Sequence, residues 1–186
     1  MILSGAGLLI AGYLTWLKWV GRGALFCVAG SGCDIVQASR YAMFLGVPTA
    51  LWGAVFYAAI GVLSGMGFTA GRWLAAFLLA AAGVGFSAYL SALSLFLLRA
   101  SCIYCLVSSA IAVALLLLLL RQRPITLGRG LLRPARLAMY GGSAAAAAIV
   151  FGAFVFAAPS SGPPGYQLAL ARHLKETGAV MYGAYW

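Results

Sequence analysis

The chain contains four cysteines, arranged as two pairs that could exchange a disulfide. Cys27 and Cys33 are separated by short, flexible sequence, whereas Cys102 and Cys105 form a Cys-x-x-Cys motif at the predicted start of a helix. At positions i and i+3 the two sulfurs of this motif share one helix face, and a helix N-terminus stabilises a thiolate. These features suit cycling between dithiol and disulfide, and we therefore predict two coupled redox pairs.

The spacing of the cysteines leaves three other interpretations open. They could be unrelated buried residues, or they could form two structural disulfides, although a Cys-x-x-Cys bridge is usually strained and labile. They could also bind one zinc ion, which requires closed tetrahedral ligation, but the gap between Cys27 and Cys33 is wider than usual for such a site. The alternative to a redox enzyme is thus a non-catalytic membrane scaffold that is stapled by disulfides or binds a metal.

The composition places these cysteines in a membrane protein. Of the 186 residues, 65% are hydrophobic and 8% are charged, whereas about 25% are charged in an ordinary soluble domain. The net charge of +10 does not indicate binding to nucleic acid, because the basic residues separate long uncharged segments instead of forming one patch. The charges are better interpreted as signals of orientation in a lipid bilayer.

The uncharged segments predict five transmembrane helices, since each is close to the length of about 20 apolar residues that a bilayer requires. The predicted spans are residues 2–20, 47–69, 73–98, 103–120 and 137–158. We expect a catalytic four-helix bundle over 1–121, a loop over 122–136, a fifth helix over 137–158 and a tail over 159–186.

The loop after the fourth span predicts the orientation of the protein. It is rich in arginine, and such loops face the cytoplasm. Both cysteine pairs then lie at the opposite, exoplasmic edge of the membrane, where disulfides persist. The basic residues that support this orientation are Arg121, Arg123, Arg129, Arg133 and Arg136.

A lipid-soluble quinone is the expected electron acceptor. The sequence contains no motif for a flavin, haem or nicotinamide, and a quinone is a natural acceptor for dithiols at a membrane edge. A quinone needs an apolar slot with one or two hydrogen-bond donors. Trp52 and Phe56 share a face of the second helix, near the same membrane edge as Cys105. Ordinary helix packing is the alternative interpretation of these two residues and of the stripe described next. The third helix carries a stripe of mostly small residues, namely Gly83, Ser87, Leu90 and Ser94.

The order of the motifs resembles that of bacterial homologues of vitamin K epoxide reductase. Thiol oxidases of the DsbB type also combine four spans, two cysteine pairs and a quinone, but in them the Cys-x-x-Cys pair comes first. The reversed order favours the vitamin K epoxide reductase type, and the resemblance implies an all-α membrane protein with a four-helix bundle around a quinone and a fifth helix. The matching segments are Cys27…Gly32-Cys33-Asp34, Ser39-Arg40-Tyr41, Leu45-Gly46-Val47-Pro48, Trp52-Gly53 and Cys102-Ile-Tyr-Cys105.

The resemblance also implies a role for each cysteine. Cys27 would exchange with a thioredoxin-like partner through a mixed disulfide, Cys33 would pass the disulfide to Cys102, and Cys105 would be the thiolate that attacks the quinone. The implied activity is that of a membrane thiol:quinone oxidoreductase that drives disulfide formation in exported proteins. The quinone would be of the ubiquinone, menaquinone or phylloquinone type, and the membrane would be a bacterial inner membrane.

The resemblance implies a half-helix over about 34–45 that covers the quinone and contributes Ser39 and Ala42 to its site. Animal members have an Asn and a Tyr that hydrogen-bond the quinone; their nearest matches here are Thr49 and Ser109, so plain quinone reduction is expected rather than epoxide chemistry. In the tail, the sequence predicts an amphipathic helix over residues 166–177. The tail's last eight residues (AVMYGAYW) resemble a strand that, in bacterial fusions, leads into a thioredoxin-like domain. We therefore expect the membrane part of such a fusion.

Overall fold

The computed structural model describes residues 1–20, 32–67, 69–122, 134–157 and 173. For Asp34 and Ala38 it describes the backbone alone. The predictions for Cys27, for most of the arginine-rich loop, and for the helix and strand of the tail lie outside these residues.

The described part of the chain is almost entirely helical. Four of its helical segments are long and apolar enough to cross a membrane, and Thr49–Gly65 is a shorter apolar helix. The prediction of an all-α, multi-pass membrane bundle is confirmed. The elements are α1 (Ile2–Val20), α2 (Gly32–Ala38), β1 (Met43–Phe44), β2 (Val47–Pro48), α3 (Thr49–Gly65), α4 (Ala70–Ala92), α5 (Ile103–Arg121) and α6 (Pro134–Ala157).

A closely packed core lies at the end of the bundle where α4 begins and α5 ends. Trp73 is 0% exposed, stacks on Phe77 with ring centroids 5.4 Å apart, and donates its indole N–H to the carbonyl of Leu119 at 2.9 Å. That hydrogen bond satisfies a polar group that would be costly to bury unpaired. This end of the bundle is solid, and its aromatic and aliphatic side chains fix how α3, α4 and α5 sit together.

The segment expected to form one half-helix over about 34–45 is instead divided, and that expectation is wrong. The helix α2 ends at Ala38, a 3-10 turn covers Arg40–Ala42, and β1 pairs antiparallel with β2. The two strands are joined by Leu45 at φ 53° and Gly46 at φ 78°, which is the left-handed two-residue connection that suits a tight hairpin. Because β2 includes Pro48, α3 begins at Thr49 and not at position 47.

The end of α4 differs from a regular helix. It widens into a π-helical turn over Leu93–Leu97, and the amide of Ala100 donates to the carbonyl of Ser94 at 3.0 Å. Arg99 then adopts φ 48°, a conformation uncommon for a residue other than glycine. This tight exit leads the chain directly from α4 to Cys102 at the start of α5.

Candidate redox site and cavity

The contact between the two cysteine pairs is set by backbone packing at Gly32. This glycine begins α2 against the residue that precedes the Cys-x-x-Cys motif, and a Cβ atom on it would lie 2.8 Å from the carbonyl oxygen of Ser101 and 2.9 Å from its nitrogen. Only glycine allows this approach. As a result, the Sγ atoms of Cys33 and Cys102 lie 3.6 Å apart, and both side chains are buried.

The three cysteines that the structure describes differ in their bonding. Cys33 is disulfide-bonded, whereas Cys102 and Cys105 are free thiols. A hydrogen bond from the Cys105 thiol lowers the pKa of Cys102 below its usual value, against burial, which raises it, and backbone N–H groups of the first turn of α5 add to the lowering. Thiol–disulfide exchange requires a thiolate, so Cys102 is suited to exchange with the disulfide of Cys33. The predicted attack of Cys105 on a quinone is a separate step that this contact leaves untested.

A cavity of about 230 Å³ lies next to Cys105. It is enclosed by α1, α3, α4 and α5, and it is covered by α2 and by the segment Arg40–Pro48, which we call the lid. Most of its lining is apolar. Of the sequence-predicted quinone residues, the structure brings these together in the lining: Ala42, Trp52, Phe56, Gly83, Ser87, Leu90, Ser94 and Ser109. Ser39 is not part of the lining, and its hydroxyl donates to the carbonyl of Val36 at 2.7 Å.

The hydroxyl groups of the cavity fall into two sets. The Thr49 hydroxyl donates to the carbonyl of Tyr41 in the lid at 2.9 Å, and the Tyr57 hydroxyl donates to the carbonyl of Ser108 at 2.8 Å. By contrast, the Ser87 and Ser109 hydroxyls have no hydrogen-bond partner among the described residues. Both serines are half-buried and line the cavity, so this second set is available to a ligand.

Gly83 shapes the wall of the cavity. A Cβ atom on this glycine would overlap the ring of Phe56, so the absence of a side chain on α4 makes room for the aromatic ring on α3. The Phe56 ring also meets the Tyr57 ring edge-on, with centroids 4.9 Å apart. Phe56 and Gly83 thus form an apolar part of the cavity wall.

The structure adds cavity residues that the sequence interpretation did not include. Lys18 and Gln37 both line the cavity, and the Lys18 ammonium group donates to the carbonyl of Gln37 at 2.7 Å. This bond fastens the last turn of α2 to α1, where a cation is favoured by the helix dipole. A single charge near the end of an apolar span is the sequence signal that could have found Lys18. Tyr41, Tyr57, Tyr104 and Ser108 also line the cavity.

Comparison with known proteins places this arrangement in a family context. The model of the vitamin K epoxide reductase family matches residues 1–120. A thiol-disulfide oxidoreductase of Arabidopsis thaliana, LTO1, is 30% identical over an alignment 207 residues long, which covers 94% of this chain and 52% of the plant protein. The chain thus spans about half the length of that relative, and α6 lies outside the segment that the family model matches.

Proposed function

The chain belongs to the vitamin K epoxide reductase family, and from that premise we propose that it is a membrane thiol:quinone oxidoreductase. The observation that carries the proposal is one continuous arrangement: Cys33 touches Cys102, Cys102 is hydrogen-bonded to Cys105, and Cys105 lines the apolar cavity. The printed name of the plant relative, a thiol-disulfide oxidoreductase, supports the thiol half of this reaction.

The thiol steps follow from the short distance between the sulfurs of Cys33 and Cys102. Starting from a Cys27/Cys33 dithiol and a Cys102–Cys105 disulfide, the Cys33 thiolate attacks the sulfur of Cys102, and Cys105 leaves as the thiolate. Cys27 then attacks Cys33 in the mixed disulfide and releases Cys102. Protons lost by the attacking thiols are balanced by those taken up at the leaving sulfurs. The loop pair ends oxidised and the Cys-x-x-Cys pair reduced, which agrees with the free thiols of Cys102 and Cys105.

The cavity fits a quinone by its chemistry. Apolar walls suit a flat ring. The hydroxyls of Ser87 and Ser109, for which the described part of the chain offers no partner, are donors that would orient the quinone oxygens. A bound quinone would accept the two electrons and two protons of the reduced pair and leave as the quinol, with the Cys102–Cys105 disulfide re-formed. Thr49 is already committed as a donor to the lid, so only the lone pairs of its hydroxyl remain for a ligand.

The proposal extends to the partners and the location of the protein. A thioredoxin-like protein or fused domain would deliver electrons from exported dithiol proteins to Cys27, at the exoplasmic face of a bacterial inner membrane. The arginine-rich loop between α5 and α6 would face the cytoplasm. The contact between the sulfurs of Cys33 and Cys102 favours exchange between the pairs over the alternative of a scaffold stapled by two structural disulfides.

The test is quinone reduction by the purified protein in lipid nanodiscs, followed by absorbance with a short-chain ubiquinone. With dithiothreitol as donor, Cys105→Ala is expected to abolish turnover, because no second thiol remains to complete the two-electron step. Cys27→Ala is the matched control: it should retain turnover with dithiothreitol but lose turnover with a reduced thioredoxin-like protein. Equal turnover of Cys105→Ala and the unmodified protein would overturn the proposal, and loss of both activities in Cys27→Ala would overturn the division of labour between the pairs.

A further inference from the structure

The fifth long helix, α6, reaches the lid of the cavity through one aromatic side chain. Phe156, in the last turn of α6, is 7% exposed. Its ring lies edge-on to Tyr41 at 5.3 Å between centroids, at 5.4 Å from Phe44, and roughly parallel to Tyr89 at 6.4 Å. Tyr41 and Phe44 both belong to the lid, whereas Tyr89 belongs to α4.

Phe44 is the centre of the contacts that hold the lid. Its side chain is 6% exposed although it sits in a two-residue strand, and its carbonyl accepts a hydrogen bond from the Trp52 indole at 3.3 Å. Edge-on and tilted aromatic pairs add stabilisation beyond burial alone. Besides Phe156, its aromatic neighbours are Phe86 at 5.3 Å, Phe151 at 5.8 Å and Trp52 at 6.0 Å.

The position of α6 is fixed by close backbone packing on α4. A Cβ atom on Gly85 would lie 2.8 Å from the Cα and carbonyl oxygen of Ala145, and one on Gly152 would lie 2.9 Å from the ring of Phe86. Small residues permit this close approach of helices in a membrane. Because α6 packs directly on the backbone of α4, it cannot move closer to α4. The contacts with α4 therefore set the position of Phe156 relative to the lid.

Phe156 acts on the cavity only through other residues. Neither Phe156 nor Phe44 lines the cavity, whereas Tyr41, Trp52 and Phe86 do. We propose that Phe156 is a positioning residue that holds the lid closed over the quinone, so that α6 is a working part of the quinone site and not only a membrane anchor. This inference rests on the proposed function, and it assigns a role to a helix beyond the residues that match the family model.

The test compares Phe156→Ala with Phe154→Ala in the quinone reduction assay with saturating dithiothreitol. Phe154 lies on the same helix but is 76% exposed, so its loss removes a side chain of equal size without touching the lid. We expect Phe156→Ala to raise the KM for the quinone by about tenfold with kcat nearly unchanged, because binding is lost equally in the ground state and the transition state. Phe156→Leu should recover part of the affinity.

A second pair of variants covers the case in which Phe156→Ala does not fold. Gly85→Ala should displace α6 from α4 and raise the same KM, whereas Gly142→Ala is the control, since nothing lies within 4 Å of its Cβ position. An unchanged KM in a folded Phe156→Ala protein, or in Gly85→Ala where that protein does not fold, would overturn the inference. So would equal changes in Phe154→Ala. Those results would leave the proposed function intact. The proposed function itself fails if Cys105→Ala retains the turnover of the unmodified protein.

Discussion

The two halves of α4 show how one helix serves two purposes. In its first half, Trp73, Ala76 and Phe77 are buried and closely packed. In its second half, Gly83, Ser87 and the residues that follow line a cavity. The two halves differ in side-chain size. The large rings of Trp73 and Phe77 fill the space at one end, whereas the small side chains of Gly83 and Ser87 leave space at the other.

The two ends also treat their polar groups differently. The Trp73 indole is paired with a backbone carbonyl at 2.9 Å, so the solid end has no need of an outside partner. At the cavity end the Ser87 and Ser109 hydroxyls have no partner among the described residues. An unpaired polar group near a cavity is costly unless a ligand or water satisfies it. The contrast indicates that the solid end maintains the fold, and it supports the proposed quinone site at the open end.

The largest expected effect is on stability, at the solid end. Trp73→Ala should lower the free energy of unfolding by about 3 kcal/mol, because it leaves a cavity and an unpaired carbonyl in a region without spare space. The measurement is unfolding in mixed micelles of increasing denaturing detergent. Trp16→Ala is the matched control, since that indole is 65% exposed. A similar loss of stability in both variants would remove the distinction between the two ends.

A change at the cysteine end should affect exchange rather than stability. Gly32→Ala would push α2 away from Ser101 and separate the Cys33 and Cys102 sulfurs, and a displacement of about 1 Å can cost about 10²-fold in rate. Turnover with a thioredoxin-like donor should fall by that factor, while turnover with dithiothreitol, which can reduce Cys102–Cys105 directly, should persist. Gly12→Ala, with open space at its Cβ position, should behave like the unmodified protein. If both donors were affected equally in Gly32→Ala, the contact would serve folding and not exchange.

The smallest expected effect concerns the ionisation of Cys102. The hydrogen bond from Cys105 lowers the pKa of Cys102, so its thiolate should persist to lower pH than that of an ordinary thiol. Removing the donor with Cys105→Ala should raise this pKa, and alkylation of Cys102 at pH 7 should slow by about tenfold. Alkylation by iodoacetamide across pH 5 to 10, followed by mass spectrometry, measures the shift. Identical pH profiles in the two proteins would contradict the hydrogen bond.

The spans and part of the cavity lining could be predicted from the sequence because both depend on local patterns. Uncharged length marks each helix, and a period of 3.6 residues places Gly83, Ser87 and Ser94 on one face of α4. The hairpin could not be predicted in this way, because Leu45 adopts a positive φ that leucine itself disfavours and only Gly46 signals the turn. The packing of Phe44 against Phe156 joins residues far apart in the chain, and no local period reports it.

The close backbone contact between Gly32 and Ser101 makes the two positions unequally tolerant of substitution. The crowded atoms of Ser101 are its backbone nitrogen, carbon and oxygen, which every amino acid possesses, and its own side chain is exposed. Many amino acids at position 101 would therefore preserve this contact, whereas position 32 has no space for a side chain. Mutational drift at this junction is confined to one of the two partners.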